Sequence, residues 1–452
     1  MKNNLKFVCL FLGIVSVVVV GCVLIYLSDE NKIIESSKRS DIKVNNNFLT
    51  MMYETEYQSG EYVVSTDSTW PHEGYTFNAD LSGCENGSTL TWDDENKNVV
   101  LQANKSDKCY VYFDINKPTL ATICSNGQSL SNCIETFYTT DGENGLYYHD
   151  GSGDYTNADQ EVGDNSYRYA GANPNNYLCF GTDAETCSED NLYRIIGVFN
   201  GQVKLIKSTS IGDYVWDIDN VDFSTIINTN NQDTNYKVMQ LGDILAVPDR
   251  FNGSNIWLEA DLNYYINNDY FYNTLTSDWQ DKISTTIWYV GGGGLTQIVY
   301  GVNSTAKNAY NYEQGSNKDG TTYEAKVGLM YLNEYYYGAS PTYWSYPGYT
   351  SSVYPDVNGN YGAEYDYRAA INDNWMFSGT QEWTISRESS DNFNVNSINI
   401  ENDGSVGRSP INDSIYLGDD GTLAVRPTFY LNSDVLYASG DGTIDLPIRI
   451  VV

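Results

Sequence analysis

The stretch that decides the fold is QEWTISRESSDNFNVNSINIENDGSV, residues 381–406, followed after a loop by GTLAVRPTFYLNS, residues 421–433. Short runs within it, such as 393–395 and 425–431, alternate or cluster apolar residues as strands do. The Asn-Asp-Gly and Asp-Asp-Gly tripeptides that separate these runs have the composition of tight turns. The stretch therefore predicts the closing strands of one domain.

Length and charge limit the possible classes of protein. The chain has 452 residues, enough for two or three domains. Its 25 Lys and Arg against 59 Asp and Glu give a net charge of −34, which repels phosphate backbones, so nucleic acid is excluded as a partner. The 40 tyrosines and 38 glycines favour a β-rich, loop-rich extracellular protein over a cytosolic enzyme.

The cysteines indicate an oxidising compartment. Two of the eight lie in an apolar N-terminal segment, and an even number, six, lies outside it. Fifteen pairings are open to six cysteines, and pairing neighbours in sequence is the simplest. With no CxxC pair and two histidines, a structural zinc site is not predicted. The predicted bridges are Cys84 with Cys109, Cys124 with Cys133, and Cys179 with Cys187.

The N-terminal segment 7–27 is apolar over 21 residues without a charge, about the length that spans a bilayer. We expect a signal anchor or transmembrane helix over 1–27, single-pass in the cell membrane, with the bulk of the chain extracellular. The alternative is a lipobox at 19–22, in which Cys22 is lipidated. Residues 28–60 carry no strand pattern and are interpreted as a stalk.

Residues 61–116 predict a small β-sandwich module tied by a disulfide. Runs at 88–92, 98–103 and 109–113 are separated by turn-rich segments, which is a meander pattern. A module this small gains much stability from a covalent bridge, here Cys84 to Cys109.

Residues 117–190 are interpreted as a connecting helix followed by an acidic loop region. The loop holds a candidate calcium site, because oxygen-bearing side chains occupy positions 1, 3, 5, 7 and 12 of a calcium loop. Tyr155 stands where such a loop needs glycine, so a plain solvated loop accounts for the same residues. The candidate ligands are Asp150, Ser152, Asp154, Thr156 and Glu161.

Residues 191–452 predict one α+β domain. Asn200-Gly201 between two apolar-alternating runs indicates a two-residue β-hairpin. Apolar residues over 256–285 recur mostly at four-residue spacing and predict one or two helices.

Several tracts from residue 167 onward carry a resemblance to a known group of proteins. Together they resemble membrane-anchored surface proteins of unknown function from gut-type Gram-positive bacteria. The order of the Trp-Thr-x-Ser and Val-Arg-Pro segments resembles the C-type-lectin-like fold, which implies that fold for 191–452. The tracts are YRYAGANPNNYLCFG, NLYRIIGVF, TLTSDWQDKI, AKVGLMYLNEY, EWTISR and AVRPTFYLNS.

No catalytic motif accompanies the resemblance. Formylglycine-generating enzymes of that broader fold need cysteines in the domain, and none follows Cys187. The sugar-binding tripeptides of calcium-dependent lectins, a G-x-S-x-G elbow, an HExxH motif and a Walker lysine are also missing from the sequence. Trp383, Arg387 and Arg426 are interpreted as scaffold and not as a ligand site.

The sequence thus predicts a cell-surface anchored extracellular binding or adhesion protein for a glycan or protein ligand. Its expected fold class is α+β and β-rich, with an N-terminal transmembrane helix, a β-sandwich module and a C-type-lectin-like domain. No cofactor is predicted apart from the candidate calcium, and catalysis is uncertain. The alternatives are an extracellular carbohydrate-active hydrolase that uses paired carboxylates and a structural envelope component.

Overall fold

The computed structural model describes residues 48–67, 70–72, 74–102, 107–150, 162–217, 255–258, 260–389, 396–411 and 422–452. The chain divides into two units, the first ending at Pro118 and the second running from Thr119 to Val452. Each unit has its own hydrophobic core.

The first unit contains a four-stranded sheet and a separate two-stranded hairpin. The sheet order is β2-β1-β6-β3, and β4 pairs with β5. Alternate residues of β6, among them Val111 and Phe113, point into a small core with Trp70 and Val99. The strands are β1 (Phe48–Glu54), β2 (Tyr62–Val64), β3 (Tyr75–Cys84), β4 (Thr89–Asp93), β5 (Asn98–Gln102) and β6 (Lys108–Ile115).

Strand β1 lies within 28–60, which we expected to be a stalk. It pairs in parallel with β6 and antiparallel with β2. Leu49, Met51 and Tyr53 recur at every second position and pack against the unit's core, which is the period of a half-buried strand. The sheet therefore begins before the predicted module boundary at residue 61.

The second unit holds sixteen described strands in several sheets. They are β7 (Leu146–His149), β8 (Ser166–Tyr169), β9 (Tyr177–Cys179), β10 (Leu192–Phe199), β11 (Gln202–Lys207), β12 (Asp213–Tyr214), β13 (Thr286–Tyr289), β14 (Thr322–Ala325), β15 (Val327–Gly328), β16 (Glu382–Arg387), β17 (Asn396–Ile400), β18 (Val406–Pro410), β19 (Leu423–Ala424), β20 (Thr428–Tyr430), β21 (Tyr437–Ser439) and β22 (Arg449–Ile450).

The larger sheet of this unit has the order β15-β20-β11-β10-β8-β7, with β9 also pairing with β10. The predicted hairpin at Asn200-Gly201 is confirmed, because both residues have positive φ and join β10 to β11. Residues 117–190, expected to be a connection, contribute β7, β8 and β9 to this sheet.

The second sheet has the order β12-β19-β16-β17-β18. The stretch 381–433 forms strands as predicted and serves both sheets, since β16 to β19 lie in the smaller one and β20 lies in the larger one. The predicted run at 393–395 falls outside the described residues. Strands β13 and β14, and β21 and β22, form separate antiparallel pairs.

Helices in the described part of the chain are short, the longest α-helices having eight residues. The helical region predicted over 256–285 is present but broken, with a π-helical segment Tyr265–Tyr270 between two single turns. The α-helices are α1 (Leu120–Ile123), α2 (Leu130–Phe137), α3 (Asp261–Tyr264), α4 (Phe271–Thr274), α5 (Ser277–Gln280), α6 (Leu295–Ile298), α7 (Ala306–Glu313) and α8 (Leu332–Gly338).

The predicted α+β fold class with an N-terminal transmembrane helix is wrong, although its β-rich character is present. The described residues are β-rich with few, short helices, and no helix among them has both the length and the apolar character needed to cross a bilayer. The N-terminal transmembrane helix expected over 7–27 lies outside the described residues and finds no support. The prediction rests on the length of its apolar run and the lack of charge in it.

The three predicted disulfides are present. Cys84 pairs with Cys109, Cys124 with Cys133, and Cys179 with Cys187. The first bridge joins directly paired residues of β3 and β6, so it ties the first unit's sheet across 25 residues of sequence.

Candidate ligand-binding groove

The predicted calcium loop is mostly beyond the described residues. Asp150 follows β7 directly, and Ser152, Asp154, Thr156 and Glu161 fall within 151–161, which the structure does not describe. The site therefore stays a prediction of the sequence.

A different group of potential ligand atoms meets in the first unit. Cys84, Asp107 and Cys109 bring their sulfur and carboxylate atoms within 4.8 Å of one another. The two sulfurs form a disulfide, and a metal needs the thiolate. The Asp107 carboxylate accepts hydrogen bonds from the backbone amides of Asn86 and Ser88, at 2.7 and 2.9 Å. The disulfide and these hydrogen bonds explain why the three residues lie together, so the cluster stabilises a turn.

Trp383 and Arg426 lie in the interior of the second unit. The indole Nε1 of Trp383 donates to the backbone oxygen of Tyr214 at 2.8 Å, which joins β16 to β12. Arg426 donates from Nε to Glu382 Oε1 at 2.7 Å, and both side chains are buried. Arg387 is half-buried, and its guanidinium lies 3.6 Å from the carboxylate of Asp319.

A buried ion pair joins the larger sheet to α8. Lys204 Nζ lies 2.5 Å from Glu334 Oε1, and the two side chains are 0% and 1% exposed. The ammonium is also surrounded by the rings of Trp288, Tyr331 and Tyr430, with centroids 4.6 to 4.9 Å away. Burial lowers the pKa of Lys204, against the attraction of the Glu334 carboxylate. Because nothing in solution reaches this pair, it supports the fold and is not a binding site.

Glu313, the last residue of α7, caps the start of α8. Its carboxylate accepts hydrogen bonds from the backbone amides of Leu332 and Asn333 at 2.9 and 2.8 Å, and from the hydroxyl of Ser386. Burial raises the pKa of Glu313, although these donors favour the anion. The contact fixes α7 against the core and so fixes the outer face of α7.

That outer face lines an open groove of about 850 Å³. The groove is lined by α6, by the turn that follows it and by α7, together with Ser345 and Val357. Its lining residues are Thr296, Gln297, Val302, Asn303, Thr305, Lys307, Asn308, Asn311, Tyr312, Ser345 and Val357.

The local sequence explains why these side chains face outward. The hydroxyl of Thr305 caps α7 by accepting a hydrogen bond from the backbone N–H of Asn308 at 3.4 Å. Ala306 and Ala309 are fully buried and let the helix approach the core closely. Asn308, Asn311 and Tyr312, at spacings of three and four, then share the opposite face.

The groove offers hydrogen bonding without strong charge. Four lining residues carry a carboxamide, three carry an aliphatic hydroxyl, one is Tyr312 and one is Lys307, and none of the described lining residues is acidic. A carboxamide presents both donors and acceptors. This chemistry suits a polar ligand with many hydroxyl or amide groups and lacks the paired carboxylates of a glycosidase.

This groove was not predicted from the sequence. The signal available was the run TAKNAYNYE at 305–313, with alanines on one helical face and asparagines on the other. An eight-residue helix gives little periodicity to detect.

A smaller cavity of about 320 Å³ lies in the first unit. Its floor is Trp70, which stacks on Tyr53 and on His72 at ring-centroid distances of 5.2 and 4.3 Å. His72 Nε2 lies 3.0 Å from Asp67 Oδ2. Because the Trp70 ring is sandwiched by its own neighbours, this cavity offers a ligand less surface than the groove does.

Comparison with known proteins adds no relative. No protein-family model, no curated protein and no solved structure matches the chain. The resemblance to anchored surface proteins and to the C-type-lectin-like fold therefore has no support from these comparisons.

Proposed function

We propose that this chain is an extracellular binding or adhesion protein that holds its ligand in the groove beside α7 and does not transform it. The observation that carries the proposal is the lining, which is rich in carboxamides and hydroxyls, holds a tyrosine and has no acidic residue among its described members. Such a surface recognises a ligand by hydrogen bonds, and its described members include no carboxylate or histidine to serve as a general acid or base.

The disulfides support the extracellular address. All three bridges of the described chain are within one unit or the other, and disulfides persist in oxidising compartments and are rare in reducing cytosol. The net charge of −34 suits a soluble surface in that setting.

Buried acids in the second unit weaken the hydrolase alternative. Glu382 is paired with Arg426, Glu334 with Lys204, and Glu313 with the amides that open α8. A glycosidase needs two carboxyl groups that face each other across a substrate-sized cleft. Carboxylates held by internal cations and amides do not meet that need.

The test is a binding screen followed by product analysis. The purified full-length chain is applied to glycan and protein arrays, and each ligand it captures is then incubated with it and analysed by mass spectrometry. We expect capture of a ligand that is recovered intact. A cleaved ligand would replace the proposal with the hydrolase alternative, and no capture above background would leave the structural envelope component.

A further inference from the structure

We infer that the ligand of the groove is a neutral oligosaccharide, bound without a metal ion. This inference rests on the proposed function and names the ligand class for the same site. The donors, acceptors, apolar surface and charge along the groove point to that ligand class.

Hydrogen bonding in the groove matches sugar hydroxyls. Each hydroxyl donates once and accepts, and a carboxamide can answer both roles with its oxygen and its nitrogen. Asn303 is exposed in the turn after α6, and Asn311 is half-buried on α7, so both amides can meet a ligand from solvent. A peptide is often bound as an added strand at the edge of a sheet, and no strand is among the described residues that line the groove.

Apolar surface is distributed in the way a sugar ring requires. Val302 and Val357 both line the groove and are 38% and 43% exposed, so both are open to a ligand. Tyr312 adds an aromatic ring. The C–H face of a pyranose can lie against the Tyr312 ring, because the face of an aromatic ring attracts partly positive hydrogens. The two valines add apolar contact, while the hydroxyls of the sugar reach the amides.

The charge of the groove and of the whole chain favours a neutral ligand. Lys307 is the one charged side chain among the described lining residues, and the chain carries a net charge of −34. An acidic glycan or a nucleic acid would be repelled by that field and would find a single cation to neutralise it. Bound calcium also has no carboxylate to hold it here, since calcium sites are built from oxygen ligands that include Asp or Glu.

The experiment measures affinity of the full-length chain for the strongest neutral glycan from the array, by isothermal titration calorimetry with and without EDTA. Asn303→Ala and Tyr312→Ala are compared with Asn132→Ala and Tyr272→Ala, which change an exposed Asn and an exposed Tyr outside the groove. We expect each groove variant to weaken binding roughly tenfold or more. The two controls and EDTA should leave the affinity unchanged.

Other outcomes overturn the inference in distinguishable ways. Asn303 lies in an exposed turn, so its variant reports on the groove even if Tyr312→Ala, whose ring packs against the core, fails to fold. Tight glycan binding that both groove variants retain, loss of binding in EDTA, or capture of only proteins or acidic glycans would each contradict the neutral-glycan groove and leave the binding function standing. No captured ligand of any class would remove the proposed function itself.

Discussion

At the scale of the residue, the pair Lys204 and Glu334 shows how a charge is kept inside an aromatic core. The ammonium gains one short ion pair and three ring faces, which together offset the loss of hydration. Removing one partner leaves the other charge buried and alone. We therefore expect Lys204→Met to lower the free energy of unfolding of the second unit by about 3–5 kcal/mol, measured by urea denaturation.

Two companion variants check that explanation. Lys318→Met removes an exposed lysine of the same unit and should change stability by less than about 0.5 kcal/mol. The double variant Lys204→Met with Glu334→Gln removes both charges and should recover part of the loss. A double variant less stable than Lys204→Met alone would show that the cost comes from packing and not from the orphaned carboxylate.

Residues whose role is local were predictable, and residues whose role depends on distant partners were not. Asn200 and Gly201 predict their hairpin because both residue types adopt positive φ readily, and both do so here. Lys204 sits in the strand run QVKLIK, where its sequence gives no sign of burial. Its partner Glu334 lies 130 residues further along the chain.

At the scale of the element, helix α7 lines the groove with one face and packs against the core with the other. Its last residue, Glu313, is buried and holds the helix to the start of α8. Because burial raises the pKa of Glu313, the folded state holds that proton more tightly than the unfolded state does. The stability from the neutral carboxyl is present below the ordinary glutamate pKa of about 4.5 and is lost as pH rises through the raised folded value.

Glu313→Gln tests that sign. Near pH 4 the wild type should be more stable by about 1–3 kcal/mol, because the amide nitrogen of Gln would meet backbone donors that the carboxyl accepts. As pH rises toward 7 the difference should shrink, since only the wild type must bury an anion. Urea denaturation at a series of pH values gives both stabilities, and a difference that grows with pH would contradict the expected direction.

Elements were predicted better than the sheets they form. The strands of 381–433 and the strand runs of the first unit follow from period-two patterns, although the three runs predicted as a meander form a separate hairpin, β4 with β5, and a strand, β6, that pairs with β1 and β3. Their pairing does not, because β20 joins β11 and β15 while its chain neighbour β19 joins β12 and β16. Three of these four pairings join chain segments a hundred or more residues apart, and the pairing of β19 with β16 is closer. The C-type-lectin-like assignment rested on the order of motifs, which does not specify pairing.

At the scale of the whole molecule, composition pointed to properties that single motifs did not. The 40 tyrosines favoured a β-rich, loop-rich protein, and many of them are interior residues of the second unit, where Tyr335, Tyr336 and Tyr367 contact one another through their rings. Their hydroxyls donate to backbone oxygens of Gly404, Ile298 and Tyr336, respectively. Tyrosine here fills volume and satisfies buried carbonyl groups across elements at the same time.

This use of tyrosine makes the second unit sensitive to alkali. Burial raises the pKa of each of five interior tyrosines above the ordinary value of 10.0, namely Tyr331, Tyr335, Tyr336, Tyr367 and Tyr430. A raised folded pKa gives stability that is complete below pH 10 and is lost as pH rises, because the unfolded chain ionises first. Each such tyrosine removes up to about 1.4 kcal/mol of stability per pH unit above that point. The lowered pKa values of Lys204, Lys207 and Arg194 act in the opposite direction, but these groups are fewer than the tyrosines.

We therefore expect the free energy of unfolding to fall steeply between about pH 10 and about pH 11, by several kcal/mol. Urea denaturation followed by circular dichroism measures the fall, and tyrosinate absorbance followed in parallel reports ionisation. The interior tyrosines should ionise together with the loss of secondary structure. A single smooth titration of all tyrosines near pH 10, with the circular dichroism unchanged, would mean that these rings are open to solvent and that the core described for this unit is wrong.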